Sequence, residues 1–242
     1  AKHGQRAVSS QCGSADVLSH LGVRLDINRS HTEMCIREIG IGFLYAPLFQ
    51  SAMKYAAAPR QEVGIRSIFN LLGPLTNPAG ATVQVLGVYR PELTGTMAEV
   101  LKRLGCREAF VVCGEETLDE ISICGPTRVT HLVDGALRTF QMAPEAFGFD
   151  RADPSEIRGG TARENARIIR EILDGERGPR RNVVVMNTAA AFVAARVEPD
   201  FQAGKDRAED AIDSGRAREK LERLIRCTQD YRPFVRGEIL AA

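Results

Sequence analysis

The 242-residue sequence lacks an excess of charge of either sign. It has 32 basic and 31 acidic residues, which gives a formal net charge of +1. A domain that binds nucleic acid needs a strongly basic face, so this balance argues against a nucleic-acid partner. It leaves room for a local basic pocket that binds a small phosphate.

Cysteine pairs of the kind that hold zinc are also missing. The six cysteines, at positions 12, 35, 106, 113, 124 and 227, include no Cys-x-x-Cys pair, and the four histidines are scattered. The spacing therefore predicts neither a zinc site nor a disulfide framework. We expect reduced thiols in a cytoplasmic protein.

Long apolar runs and the common catalytic signatures are absent as well. No run is long enough to span a membrane, and no signal peptide is visible, although the chain begins at Ala1 rather than at Met. No G-x-S-x-G, Walker A or G-x-G-x-x-G motif occurs, and the histidines have no triad spacing. The sequence therefore assigns no catalytic group beyond residues that position a substrate.

What the sequence does contain is an alternation of short β-rich runs with amphipathic helical runs. This alternation predicts an α/β fold, a largely parallel sheet flanked by helices. A hairpin over 127–142, turning at Asp134-Gly135, is predicted as an antiparallel element. Ligands of such sheets bind in the loops at the carboxyl ends of strands. Other expected elements are strands at 83–89, 108–114 and 182–187, a helix at 52–58, and capping boxes at 30–33 and 161–164.

The opening segment, KHGQRAVSSQCGSADVL over residues 2–18, is polar and has little to bury. Ser14 is the expected N-cap of a helix that Gly22 ends, and a helix N-terminus offers free N–H groups to an anion. Lys2 and Arg6 add positive charge. The segment therefore favours an anionic ligand, although a flexible start before a well-capped helix remains the alternative.

Two further stretches carry charged side chains that could bind a ligand. Asp119 and Glu120 lie in LDEIS, after an apolar run, and in a loop both could reach one Mg²⁺ ion, which favours a few carboxylates together with phosphate oxygens. A solvated acidic turn is the alternative. Arg60 and Arg66 in APRQEVGIR could bind a carboxylate or phosphate bidentately, unless they are surface arginines at a helix end.

Taken together, these stretches resemble the anthranilate phosphoribosyltransferase family. The opening segment is similar to that family's KHGNRAVSSKSGSADVL, and GIRSIFNLLGPLTNPAG, LDEIS, GGTARENA and VVMNTAAAF follow in the family's order. The resemblance covers essentially the whole chain. It implies an α/β domain of the type shared with pyrimidine nucleoside phosphorylases.

The resemblance also implies a reaction and a set of site residues. The family transfers phosphoribose from 5-phosphoribosyl-1-diphosphate (PRPP) to the amine of anthranilate, with Mg²⁺, and releases pyrophosphate in tryptophan biosynthesis. The implied residues are Lys2 and Ser14 for PRPP, Asp119 and Glu120 for Mg²⁺, and His3, Gln5, Ala46, Pro47, Gln50 and Arg60 for anthranilate. Arg60 is expected to face the anthranilate carboxylate.

The chain departs from the family on the acceptor side. Gln5 replaces the usual Asn, while Gln50 and Met53 stand where His and often Tyr or Met occur. A different aromatic amine therefore remains open as the acceptor. A related phosphoribosyltransferase, a pyrimidine nucleoside phosphorylase and a non-catalytic binding module are the alternatives.

Family members carry a helical domain and a GTGGD loop, which cradles pyrophosphate, before the KHG motif. We therefore expect residues 1–242 to be the C-terminal α/β domain, with roughly 25–64 packing against the helical domain. The resemblance implies a homodimer for the full-length protein, and weak or no activity for this portion alone.

Overall fold

The computed structural model describes residues 1–7, 12–50, 62, 69–115 and 118–232. The described residues form two sheets. One pairs β1 (Lys2–Gly4) with β2 (Phe43–Tyr45) in parallel. The other has the order β3 (Val83–Gly87), β4 (Glu108–Gly114), β5 (Thr127–Val133) and β6 (Ala136–Met142).

The larger sheet is mixed, because β3 and β4 run parallel whereas β5 and β6 form an antiparallel hairpin. The α/β class is confirmed, as is the hairpin with its turn at Asp134-Gly135. Both turn residues have positive φ, 49° and 75°, which the two-residue turns favoured by the twist of a hairpin require.

Helices precede, follow and connect the strands. Their bounds are α1 (Ser14–Leu21), α2 (Arg29–Ile39), α3 (Ala46–Phe49), α4 (Phe69–Leu75), α5 (Leu93–Arg103), α6 (Ala162–Leu173), α7 (Pro179–Ala194), α8 (Phe201–Asp213) and α9 (Arg216–Gln229). A short 3₁₀ helix covers Pro144–Phe147. The helix expected at 52–58 lies outside the described residues.

Strand β4 lies at the centre of the core, and every one of its residues is buried. Phe110 and Val112 contribute to a cluster that includes residues of α7, whereas Val111 and Cys113 contribute to a cluster that includes residues of α5. Alternate side chains of a strand point to opposite faces, so both faces of β4 are covered. This confirms the expectation drawn from its continuous apolar run.

The strand predicted at 182–187 is wrong, because these residues belong to helix α7. The helix begins with Pro179 at its first turn, a position that Pro favours. Val185, Met186, Ala189 and Ala190 are buried, at the spacing of one helix face. Packing of this face overrides the β preference of the valine run, which by composition alone could be a buried strand or a buried helix.

Two predicted helix caps need correction. The N-cap of α1 is Gly13 rather than Ser14. The N-cap of α2 is Asn28, whose side chain accepts a hydrogen bond from the backbone N–H of His31, and Glu33 pairs with Arg29 instead of closing a capping box. The capping box of Thr161 and Glu164 at the start of α6 is confirmed.

Candidate active site

A cleft of 650 Å³ lies between β1 and β3 and extends to the carboxyl end of β3 at Gly87. The structure brings together here most of the residues that the sequence and the family resemblance selected. Those that line it are Lys2, His3, Gln5, Ala46, Gln50, Asp119 and Glu120. The cleft thus sets a cation and an imidazole on one wall and a pair of carboxylates on another, at the end of the sheet where α/β proteins bind ligands.

Glycines at the carboxyl ends of two strands allow the acidic loop to fold over the sheet. A Cβ on Gly87, the last residue of β3, would lie 1.7 Å from the carbonyl oxygen of Asp119. A Cβ on Gly114, at the end of β4, would lie 2.9 Å from the carbonyl oxygen of Glu120. Only a residue without a side chain permits such a close backbone approach, so these glycines determine where the carboxylates lie.

Asn187 of α7 fixes the other end of the acidic loop. Its Oδ1 accepts from the backbone N–H of Ile121, and its Nδ2 donates to the carbonyl oxygen of the same residue, both at 3.0 Å. Nδ2 also donates to the carbonyl of Val183 one turn earlier in α7. Because Ile121 directly follows Glu120, this amide anchors the backbone of the acidic loop to α7.

The surroundings of Glu120 perturb its carboxyl group. Partial withdrawal of the Glu120 carboxyl from water raises its pKa, and the negative charge of Asp119 raises it further, while the Lys2 ammonium lowers it. The residue reaches solvent at the mouth of the cleft, but the walls around its carboxyl group limit hydration. A carboxylate whose charge is disfavoured beside a second carboxylate is suited to bind a divalent cation together with it.

His3 is held in a single orientation in the cleft wall. Its Nδ1 lies 3.2 Å from the carbonyl oxygen of Gly73, and since a carbonyl can only accept, Nδ1 carries the proton. Burial lowers the pKa of His3, the hydrogen bond to Gly73 opposes this, and the charge of Lys2 lowers it further. Nε2 is buried without a hydrogen-bond partner among the described residues, so the neutral ring offers a free lone pair.

Helix α4 and the turn that follows it brace the wall that carries His3. Besides the contact of Gly73, the Asn77 side chain donates to the carbonyl of Ala1 at 3.1 Å. The Gln50 amide donates to both the hydroxyl and the carbonyl oxygen of Thr76. The unusual Gln50 therefore ties the chain after α3 to the residue that follows α4.

The N-terminal end of α1 differs from the open anion site that the sequence predicts. The backbone N–H groups of Ala7 and Gly13 donate to the Asp16 carboxylate, and Arg6 forms an ion pair with it at 2.8 Å. The N–H of Ala15 donates to the carbonyl of Gln5. Several donors that an external anion would need thus already have an internal acceptor.

Among the described residues, two that were predicted for the site, Ser14 and Pro47, do not line the cleft. Ser14 lines a neighbouring cavity of 440 Å³, which Lys2 also reaches, and its Oγ lies 2.5 Å from where a Cβ on Gly4 would be. Pro47 is exposed in the first turn of α3. Arg60 lies outside the described residues, as do Ser9, Ser10, Met53 and Arg66.

Sequence reasoning missed the residues that hold the acidic loop. Gly87 and Gly114 were visible as single glycines at strand ends, a signal for close backbone approach. Asn187 was visible as an amide at the end of the apolar run VVVMN, and a buried polar side chain needs hydrogen-bond partners. Its role depends on α7 being a helix, which the sequence alone had not established.

Among the described residues, no helix combines the length and the apolar character needed to cross a membrane.

A family model described as "Glycosyl transferase family, a/b domain" matches residues 1–218. The anthranilate phosphoribosyltransferase of Desulfatibacillum aliphaticivorans is 57% identical over 230 residues, which cover 95% of this chain and 68% of that protein. The enzyme of Desulfosudis oleivorans is 58% identical with the same coverage.

Solved structures give the same result. The crystal structure of the Thermus thermophilus anthranilate phosphoribosyltransferase superposes with a TM-score of 0.88 at 42% identity, covering 94% of this chain and 68% of that one. The Saccharomyces cerevisiae enzyme in complex with PRPP and Mg has a TM-score of 0.88 at 32% identity, covering 95% of this chain and 65% of that one. This chain, which spans about two thirds of the length of these relatives, belongs to the anthranilate phosphoribosyltransferase family.

Proposed function

We propose that this chain carries the site that transfers phosphoribose from PRPP to the amine of anthranilate and releases pyrophosphate. The observation that carries the proposal is the single cleft in which Lys2 and His3 face Asp119 and Glu120. A phosphorylated, magnesium-binding donor and an aromatic acceptor need these two chemistries side by side. The relatives' names and the yeast complex with PRPP and Mg support the same function.

Asp119 and Glu120 are the proposed Mg²⁺ ligands. Both are oxygen donors at the cleft mouth, next to each other and with unfavourable mutual repulsion, which suits a hard cation that also binds phosphate oxygens. Bound there, Mg²⁺ would neutralise negative charge on the diphosphate of the donor. The acidic loop itself contributes rigidity, since Gly87 and Asn187 fix its backbone.

Lys2 is the proposed contact for the phosphate groups of PRPP. Its side chain is exposed at the start of β1 and reaches both the cleft and the neighbouring cavity, which Ser14 lines. Breaking the bond between ribose C1 and pyrophosphate builds negative charge on the leaving group, and a fixed ammonium stabilises that charge. Ser14 is proposed to contact the same donor from the neighbouring cavity.

His3 is proposed to orient the acceptor. The unprotonated Nε2 can accept a hydrogen bond from the aromatic amine, while Gln5, Ala46 and Gln50 line the surrounding cleft. An aromatic amine is uncharged at neutral pH, so no strong base is required and the site acts by positioning. Pro47 and Arg60 are retained as proposed anthranilate contacts from the family resemblance.

The experiment uses this chain beside a chimera, in which the segment that precedes KHG in the Desulfatibacillum relative is fused to Ala1. We expect the chimera to convert anthranilate with PRPP and Mg²⁺, measured by the loss of anthranilate fluorescence, and to bind PRPP more tightly than the chain alone by calorimetry. Phosphorolysis of uridine or thymidine without anthranilate turnover would overturn the proposal in favour of a nucleoside phosphorylase.

Asp119→Asn with Glu120→Gln in the chimera should abolish Mg²⁺-dependent turnover with the fold intact by circular dichroism. The matched control is Glu209→Gln with Asp210→Asn, which neutralises another adjacent acidic pair, on α8 and away from the cleft. Turnover that survives in the first variant at low Mg²⁺ would show that other groups hold the metal.

We also propose that residues 1–242 form one domain, that roughly 25–64 packs against the helical domain of the family, and that the longer protein is a cytoplasmic homodimer. The exposed Met34 and Leu48, at 37% and 53% of their full accessibility, support a covered face in this range. Sedimentation equilibrium of the chimera should give a dimer, and a monomer at all concentrations would contradict it.

A further inference from the structure

Two thiols and one imidazole converge between α2 and α9, outside the cleft. His31 and Cys35 lie on α2 and Cys227 lies on α9, and one donor atom from each falls within 4.8 Å of the others. None of the three lines the cleft. The spacing of the cysteines and histidines along the chain could not reveal this cluster, because folding brings together residues almost 200 positions apart.

The local structure holds all three side chains in place. His31 and Cys35 are four residues apart and so share one face of α2. The Sγ atoms of Cys35 and Cys227 are 2.8 Å apart, and His31 Nε2 donates to the carbonyl oxygen of Cys227 at 2.6 Å. The Tyr231 ring packs edge-on against the imidazole at 5.1 Å between centroids.

The environment of the cluster is apolar. Cys35 is 1% exposed and packs with Val23, Leu25, Phe43 and Leu224. Burial, followed by the hydrogen bond with Cys227, raises the pKa of Cys35 to about 12. Without a bound cation the thiol therefore stays neutral, and the buried pair has only a weak S–H···S interaction.

Two sulfurs and an imidazole nitrogen are ligands of thiophilic metals rather than of Mg²⁺. We propose that His31, Cys35 and Cys227 bind one thiophilic divalent cation such as Zn²⁺. Three protein ligands leave the fourth tetrahedral position to water or another small ligand. Binding releases the two thiol protons to solvent, so that the charges of Zn²⁺ and two thiolates balance.

Such a site would connect the last described helix to α2. Zinc holds its sulfurs at about 2.3 Å in a tetrahedral arrangement, which places two of them roughly 3.8 Å apart. The two Sγ atoms, now 2.8 Å apart, would therefore separate by about 1 Å. A disulfide would instead require them to approach. The two chemistries are therefore distinguishable by thiol counting and by metal uptake.

The test uses the chain as given, stripped of metal and kept reduced with a phosphine. Zn²⁺ is titrated in competition with a chromogenic chelator, and Co²⁺ is added separately to follow sulfur-to-metal charge transfer in the near ultraviolet. We expect one equivalent of Zn²⁺, a thiolate–cobalt band, and a higher unfolding temperature with Zn²⁺.

His31→Gln and Cys227→Ser should each weaken Zn²⁺ binding by more than the roughly 10- to 100-fold that loss of an outer partner costs. Matched controls are His20→Gln and Cys106→Ser, which change the same residue types elsewhere. Replacing Cys227 also changes the packing between α2 and α9. His31→Gln is therefore the independent second variant, because the His31 ring is only half-buried.

Asp119→Asn with Glu120→Gln should leave this zinc equivalent in place, which separates it from the proposed Mg²⁺ site. Three results would each overturn the proposal: no zinc uptake by the reduced chain, uptake lost in the Asp119/Glu120 variant, or uptake unchanged in both His31→Gln and Cys227→Ser. Loss of two thiols on exposure to oxidised glutathione, together with no zinc uptake, would identify a disulfide pair instead.

Discussion

Replacing Gly87 with alanine should displace the acidic loop from its place in the cleft. The added Cβ would lie 1.7 Å from the Asp119 carbonyl oxygen and 2.4 Å from its carbonyl carbon, whereas real Cβ atoms do not come within 3.0 Å of such atoms. The obstacle is backbone and cannot rotate away. The loop must therefore retreat from β3 by more than an ångström, or the end of β3 must bend.

Either adjustment moves the proposed Mg²⁺ ligands. A displacement of about 1 Å typically costs on the order of 100-fold in rate when it misplaces reacting groups, and overpacking of this kind costs about 1–3 kcal/mol of stability. In the chimera we expect kcat/KM to fall by about two orders of magnitude. We also expect a higher Mg²⁺ concentration to be needed for half-maximal rate. Steady-state kinetics over a Mg²⁺ series measures both quantities.

Gly95→Ala provides the matched control. Gly95 lies in α5, and a Cβ there would meet nothing within 4 Å. It should leave kinetics unchanged and raise the free energy of unfolding by up to about 1 kcal/mol, since alanine is the better helix former. Unaltered Mg²⁺ dependence in Gly87→Ala, with the unfolding free energy also unchanged, would refute the view that this glycine positions the carboxylates.

Three further changes test the surrounding structure. Asn187→Ala should raise the Mg²⁺ concentration needed for half-maximal rate. It should also lower the free energy of unfolding, measured in urea, by roughly 2 kcal/mol, because it leaves the backbone N–H and C=O of buried Ile121 without the Asn187 amide. Asp16→Asn should cost about 1 kcal/mol at pH 7, because it weakens the hydrogen bonds that the Asp16 carboxylate accepts from the N–H groups of Ala7 and of the N-cap Gly13. The N–H groups of Ala7 and then Gly13 lower the pKa of Asp16, so this stabilisation exists above the unfolded pKa and the variant should match the parent once the pH falls below the folded pKa. The lowered pKa of His3 makes protonation unfavourable in the folded state, so the parent should lose stability as the pH falls below 6.5 and His3→Gln should lose less.

Much of the fold could be predicted from local patterns. The apolar run of β4, the Asp134-Gly135 turn and the Thr161–Glu164 capping box each have a physical cause within a few residues, and each is confirmed. The strand predicted at 182–187 is wrong because the composition of this run fits a buried strand or a buried helix equally well. Only the surface it packs against decides between them.

The candidate site was predictable in its parts but not in its construction. The carboxylates, the lysine and the histidine stand out in the sequence, and the family resemblance supplied their roles. Tertiary contacts hold them in place. The main chain of Asp119 lies against Gly87, and the amide of Asn187 reaches the loop from the part of α7 that the sequence assigns to a strand. Contacts between residues 32 or 66 positions apart leave no periodic signal.

The two sides of the cleft differ in how their residues are held in place. The donor side depends on backbone geometry, since glycines and an asparagine fix the acidic loop, and so it tolerates little change. On the acceptor side Gln50, one of the departures from the family, uses its amide to brace Thr76. That contact gives the substitution a structural reason within this chain. It therefore weakens the inference from the sequence that a glutamine at this position signals a different aromatic acceptor. Gln5 and Gln50 both line the cleft, but only the Gln50 amide is engaged with Thr76, so Gln5 is the described departure that we expect to act on the acceptor directly.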